Sequence, residues 1–226
     1  MRKTVLFVGF VVVAIAAMSF ASFEGGTKKK ETIAPVTVSS IGEKQKGNVL
    51  VAYFTWPEPD GVDASSGASR VIKDGKLYGN TEFVAKLISD ITGGELFAIE
   101  TEKQYPSPHK ALIDEAKKEA GNNERPKIKN HIRNLQDYDV IFVGYPNWWY
   151  DMPMVIYSFF DEYDFKGKTL IPFVTHGGSR FSQSVRTIRE LEKEAKVIEG
   201  PSVAGSRVPT SEDAVVSWLE KHGWKK

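Results

Sequence analysis

The chain has 226 residues, 41% hydrophobic and 12% aromatic, enough for one sizeable core and too few for two comfortable domains. Its formal charge is +1, and the basic residues form no run able to follow a phosphate backbone, which argues against nucleic acid as a partner. Cysteine is absent, which excludes disulfides, a thiolate nucleophile, a cysteine-held metal and a lipidated cysteine.

Arg2 and Lys3 precede an uncharged stretch, Thr4 to Phe23, that closes on the small residues Ala17, Ser19, Ala21 and Ser22. This is the pattern of a cleaved secretory signal, residues 1–21, and predicts export to the periplasm. The stretch also approaches the ~20 residues that span a bilayer, so an anchor formed by residues 4–23 is the alternative. Membrane contact is predicted only if that segment is retained. Residues 22–47 are polar and small, with Lys28 to Lys30 and no apolar periodicity, and read as a flexible tether.

From residue 48 to 226 short apolar runs alternate with amphipathic stretches, the signature of an α/β domain. Asn48–Phe54 predicts a buried first strand. Residues 57–77 form an excursion in which Asp74-Gly75, between alternating arms, predicts a hairpin. That hairpin is read either as a lid or as a surface ornament. Thr81–Ile91 is a helix with Phe83, Val84, Leu87, Ile88 and Ile91 on one face, stopped by Gly93-Gly94. Strands follow at Glu95–Ile99, Asp139–Gly144, Thr169–Thr175 and Lys196–Ile198. Helices follow at Pro108–Ala120, Pro153–Phe160, Ser182–Glu194 and Ser211–His222.

Continuous apolar strands require helices on both faces. The prediction is therefore a doubly wound, five-stranded parallel sheet of order 2-1-3-4-5. Its ligand site falls at the carboxyl ends of strands one, three and four.

Three loops lie there. The first begins Thr55-Trp56 and ends Gly79-Asn80-Thr81 at a helix N-terminus, where hydroxyl, amide and backbone N–H groups suit a phosphate; an ordinary helix cap is the plainer reading. The second, Pro146-Asn147-Trp148-Trp149, presents aromatic faces suited to a planar heterocycle, although one tryptophan could simply cap the core. The third, His176-Gly177-Gly178, joins a tight turn to polar donors. No histidine shows metal-ligand spacing, so no metal site is predicted.

The segments VAYFTW, GNT, DYDVIFVGYPNWWYDMP and EYDFKGKTLIPFVTHGGS resemble the flavodoxin-like family of bacterial FMN proteins with a WW-containing second loop. The resemblance implies FMN with its phosphate at Thr55, Gly79, Asn80 and Thr81. It places the ring beside Pro146, Asn147, Trp148 and Trp149, near Trp56, with His176, Gly177 and Gly178 at the polar edge. A homodimer sharing the aromatic loops is a further implication.

Three positions depart from the family pattern. The phosphate loop is interrupted by the 57–77 excursion, and Tyr78 stands where a hydroxyl residue precedes GNT. Tyr150 replaces a glycine that permits a peptide flip, and a tyrosine is expected to resist φ > 0. Arg180 replaces a glycine after GGS.

The activity implied is two-electron reduction of quinone-like or other small acceptors, with the cofactor performing the chemistry. No protein residue is assigned a catalytic role. A nicotinamide nucleotide is one conceivable donor, though no motif for it is visible. A one-electron carrier working with a protein redox partner is the first alternative. A non-enzymatic binding module that has lost tight FMN binding is the second. Removing Arg2 and Lys3 takes the charge only from +1 to −1, without the acidic balance typical of a one-electron shuttle.

Overall fold

The computed structural model describes residues 47–57, 70–106 and 108–224. The signal and almost all of the tether read from the sequence lie outside the described residues. In chain order the elements are β1 (Val49–Tyr53), β2 (Arg70–Lys73), β3 (Lys76–Gly79), α1 (Asn80–Thr92), β4 (Glu95–Ala98), α2 (His109–Asn122), β5 (Val140–Pro146), α3 (Met154–Glu162), β6 (Thr169–His176), α4 (Ser184–Leu191), β7 (Lys196–Val197), β8 (Ser202–Ala204) and α5 (Glu212–Lys221).

The main sheet is parallel and runs β4-β1-β5-β6, with β7 and β8 both paired to the outer side of β6. Counting β7 and β8 as one position gives the order 2-1-3-4-5. Burial on two faces explains why the strands read as unbroken apolar runs. On β1, Leu50 and Ala52 enter a core with Leu112 of α2, Phe159 of α3 and Ile188 of α4. Val49, Val51 and Tyr53 enter a second core with Val84 and Ile88 of α1 and Leu219 of α5. Neighbouring residues thus serve opposite layers, as the two-residue strand period demands. Between β5 and β6 the fit is close: a Cβ on Gly144 would come within 2.1 Å of the Phe173 ring.

Two elements differ most from the sequence reading. The last strand is not Lys196–Ile198 alone but two pieces, because Pro172 in β6 has no N–H to offer its outer neighbour. The opposite donors persist, with Ile198 N–H bonded to Leu170 O (2.9 Å) and Gly200 N–H to Pro172 O (2.9 Å), so the edge keeps its course and resumes at Ser202. Helix α4 begins at Ser184 rather than Ser182, since Ser182 has φ +48 and a left-handed residue cannot lie within a right-handed helix. α4 also stops at Leu191, where Glu194 was the sequence-based end.

β2 and β3 form a separate antiparallel hairpin turning at Asp74 and Gly75, both at positive φ (50° and 73°). Val71 of this hairpin is buried in the second core, and Tyr78 packs edge-on to Phe83 of α1. The opposite face carries the exposed cross-strand pair Ile72 and Leu77. Among the described residues no helix is long and apolar enough to cross a membrane.

Candidate cofactor site

The first loop leaves β1 through Phe54, whose N–H is held by Gly144 O of β5 at 2.9 Å. It returns through β3 to Gly79, the residue before α1. The two ends of the excursion meet: a Cβ on Gly79 would lie 2.1 Å from Thr55 Oγ1. Gly79 has φ −71, which any residue adopts, so the need for glycine here is one of space alone. Its N–H donates to Glu82 Oε2 (3.1 Å), which caps the helix. Thr81 is buried, and its hydroxyl shares a 2.8 Å hydrogen bond with the Thr175 hydroxyl. The hydroxyl is therefore engaged within the protein, and the first turn of α1 addresses an anion through backbone N–H groups and the helix dipole.

The second loop is a tight turn of mirror-image hand. Trp148 N–H bonds to Asp151 O (2.9 Å) and Asp151 N–H to Trp148 O (3.1 Å), closing a two-residue connection. Trp149 and Tyr150 at its centre have φ +53 and +65, the pattern of a type I′ turn. Such turns normally use glycine or asparagine. The expectation that Tyr150 would resist φ > 0 is corrected here. Its backbone is held left-handed by a bond from Tyr150 N–H to Asn147 Oδ1 (3.1 Å) and by Tyr150 O, which accepts from Gln183 N–H (3.3 Å). Non-glycine residues in this region cost on the order of 1–3 kcal/mol each and collect at functional sites.

The turn separates the two tryptophans. Trp148 is 8% exposed and stands edge-on to Phe54 (5.6 Å, 85°) and Tyr105 (5.4 Å, 85°). Trp149 is 44% exposed; its indole N–H donates to Ile113 O of α2 (2.9 Å) and the Lys117 ammonium lies 5.1 Å from its ring centre. Trp148 therefore forms the buried backing of the turn, while Trp149 and the still more exposed Tyr150 stand at its surface.

The third loop follows β6. Asn147 N–H bonds to Thr175 O (2.8 Å), tying the second loop to the end of β6. His176 is buried, and its Nδ1 accepts from Gly178 N–H at 2.9 Å. Burial, and then the Arg180 charge, hold the imidazole below its ordinary pKa. The ring is thus neutral near pH 7, with its proton on Nε2. Gly177 and Gly178 are exposed, Gly178 at φ +139.

The structure brings Thr55, Gly79, Asn80, Thr81, Asn147, Trp148, Trp149 and the His176–Gly178 turn to one end of the sheet. Pro146 ends β5, and Trp56 joins them through Tyr105, with ring centres 5.3 Å apart. Tyr105 is a residue the sequence reading missed. Its hydroxyl donates to Glu119 Oε2 (3.0 Å), and the Lys103 ammonium lies 2.5 Å from Glu119 Oε1. Burial pushes the Glu119 carboxyl up, and Lys103 also reaches Glu115 (2.6 Å), so the ammonium already sits among the acidic side chains. This buried tether fixes the Tyr105 ring behind Trp56 and Trp148.

A family model for flavodoxin matches residues 75–222, well over half of the chain. The chain belongs to the flavodoxin family. Among solved flavodoxin-like structures it is similar to a candidate flavoprotein from Bacteroides eggerthii at 27% identity and TM-score 0.59, covering 78% of this chain and 98% of that one. A candidate flavoprotein from Bacteroides uniformis gives 26% and 0.60, with 78% and 99% covered. A flavoprotein from Lactobacillus acidophilus, solved in complex with FMN, gives 21% and 0.51, with 73% and 97% covered, a likeness of fold. No curated protein matches the sequence. The flavodoxin assignment accounts for the sheet order and for where the three loops converge.

Proposed function

We propose that the protein is an exported FMN-dependent oxidoreductase of the flavodoxin family that reduces quinone-like or other small acceptors two electrons at a time. The observation that carries this reading is the strained Trp149-Tyr150 turn standing beside a glycine-cradled helix N-terminus. The fit to FMN is twofold. Gly79 keeps the Thr55 hydroxyl and the start of α1 within one side-chain radius, which suits a phosphate. An exposed indole at the turn suits a flat ring.

Thr55, Asn80 and Thr81 hold the phosphate, the last two through the helix start, and Gly79 permits their close approach. Trp149 and Trp56 contact the ring, backed by Trp148 and the Pro146–Asn147 backbone. His176, Gly177 and Gly178 face the polar edge, where His176 Nε2–H is a neutral donor toward charge that develops there. Bound FMN supplies the redox chemistry, and this chain supplies position and electrostatics.

Two observations favour a reductase over a one-electron carrier. The net charge stays near zero, without the acidic balance that attracts redox proteins. Turning over the Trp149–Tyr150 peptide would convert the I′ turn to II′ and place Trp149 at positive φ with ψ near −120°, a region essentially reserved for glycine. A peptide flip that separates the two electron steps is thereby obstructed.

Reductive titration with measured potential tests this. One two-electron wave is expected, whereas two well-separated one-electron waves would move the protein to the carrier class. A protein that purifies colourless and stays apo when titrated with excess FMN would instead identify a binding module. Export rests on Arg2, Lys3 and the apolar 4–23 stretch, and N-terminal sequencing of the mature protein checks it.

A further inference from the structure

Four non-glycine residues at the rim of the site have left-handed backbones: Trp149, Tyr150, Arg180 and Ser182, with φ between +48 and +65. They belong to two different loops, and one side chain touches both. Asn147 is 4% exposed. Its Oδ1 accepts from Tyr150 N–H (3.1 Å), and its Nδ2 donates to Arg180 O (2.8 Å) and more weakly to Ser182 Oγ (3.4 Å). Its own N–H is fixed to Thr175 O (2.8 Å), so the amide is anchored to the end of β6. Around it Gln183 closes the same seam, its Nε2 donating to Asp151 Oδ2 (2.9 Å).

Both ends of the Asn147 amide are thus engaged within the protein. We infer that Asn147 is a positioning residue rather than a ligand of the flavin. It holds two strained loops in register, so that Trp149 and the His176–Gly178 turn are set before the cofactor arrives. This role rests on the FMN reading above, and it changes what Asn147 does within it. An asparagine suits the task because one planar group both accepts and donates. Alanine can do neither, and aspartate can only accept.

The role makes a specific coupling demand. If Asn147 works by keeping Tyr150 left-handed, it becomes less necessary when position 150 is glycine, which adopts that backbone without penalty. The experiment is a double-mutant cycle on the full chain with Asn147→Ala, Tyr150→Gly and both together. The readouts are FMN dissociation constant by flavin fluorescence and melting temperature of the apoprotein.

Asn147→Ala is expected to weaken FMN binding about five- to 150-fold in the wild-type background, the range that 1–3 kcal/mol of strain implies. In the Tyr150→Gly background the same change is expected to weaken it at least about threefold less, and the fall in melting temperature is expected to shrink in parallel. Equal effects in the two backgrounds would overturn the proposal, as would an Asn147→Ala protein that binds and melts like wild type. If Asn147→Ala fails to fold, a folded double variant supports the clamp and an unfolded one overturns it. A wild type that binds no FMN refutes the cofactor reading, and the apoprotein melts then decide the clamp by the same comparison.

Discussion

The two sides of the site reach their geometry by opposite means. At the end proposed for the phosphate the backbone is relaxed: Gly79 has an ordinary φ, and the close approach of Thr55 is obtained by omitting a side chain. At the end proposed for the flavin ring large side chains are kept and the backbone is strained, with Trp149 and Tyr150 both left-handed and tied to Asn147 and Gln183. Omission needs no partners to maintain it, whereas strain persists only while the surrounding bonds hold. The fold at the first end should therefore be disturbed when something is added, and at the second when something is removed.

The comparison breaks most visibly at the tryptophans. Trp148→Ala removes the ring that backs both sides and is expected to destabilise the fold by about 3–5 kcal/mol, measured by chemical denaturation. Gly79→Ala adds one methyl where 2.1 Å is left and is expected to cost about 1–3 kcal/mol. Adding Thr55→Ala should restore stability there but not FMN retention, because the hydroxyl is then missing. Recovery of both would show that the phosphate end needs space and not the Thr55 hydroxyl. Trp149→Ala should change stability by less than about 1 kcal/mol while weakening FMN binding by about two- to tenfold, the scale of one aromatic contact. A Trp149→Ala variant with unchanged affinity would remove the ring from this loop.

The smallest effect is in pH dependence. His176 is held below its ordinary pKa, so the unfolded chain takes up the proton first. Stability is present above pH 6.5 and is lost as pH falls from there through the lowered value. Glu192 behaves oppositely: burial, then Asp164 and Asp161, raise its carboxyl to about 7. Its folded form binds the proton first, so stability is fullest below the ordinary 4.5 and declines as pH rises toward about 7. Melting temperatures from pH 4.5 to 8 should show Glu192→Gln steepening the acid loss and His176→Gln flattening it. The same slope in both variants would contradict these assignments.

Much of this was legible in the sequence, for identifiable reasons. The α1 face of Phe83, Val84, Ile88 and Ile91 follows the helical period and is buried as that period requires. The strands declared themselves because both faces of the sheet are covered. Tyr105 was hidden, because it joins the aromatic wall from the segment after β4 and nothing local marks it. The divided last strand was hidden too, since its cause is Pro172 in the neighbouring strand. The left-handed Trp149-Tyr150 turn ran against local preference and becomes intelligible only once Asn147 and Gln183 are seen around it. Propensity describes a residue alone, and these three features depend on what stands beside it.

The meeting of Thr55 and Gly79 has a further consequence for how such proteins can be altered. A segment that departs and returns at one point behaves as a port. Chain length there can change with little penalty to the rest of the fold, since doubling a loop costs only about 0.6 kcal/mol in closure entropy. The chain leaves for the 57–77 excursion and comes back from it at that port, at the helix start proposed for the phosphate. A binding module or reporter spliced there would hang from the cofactor's doorstep without interrupting a strand of the main sheet, which makes this interruption a natural place to graft a sensor.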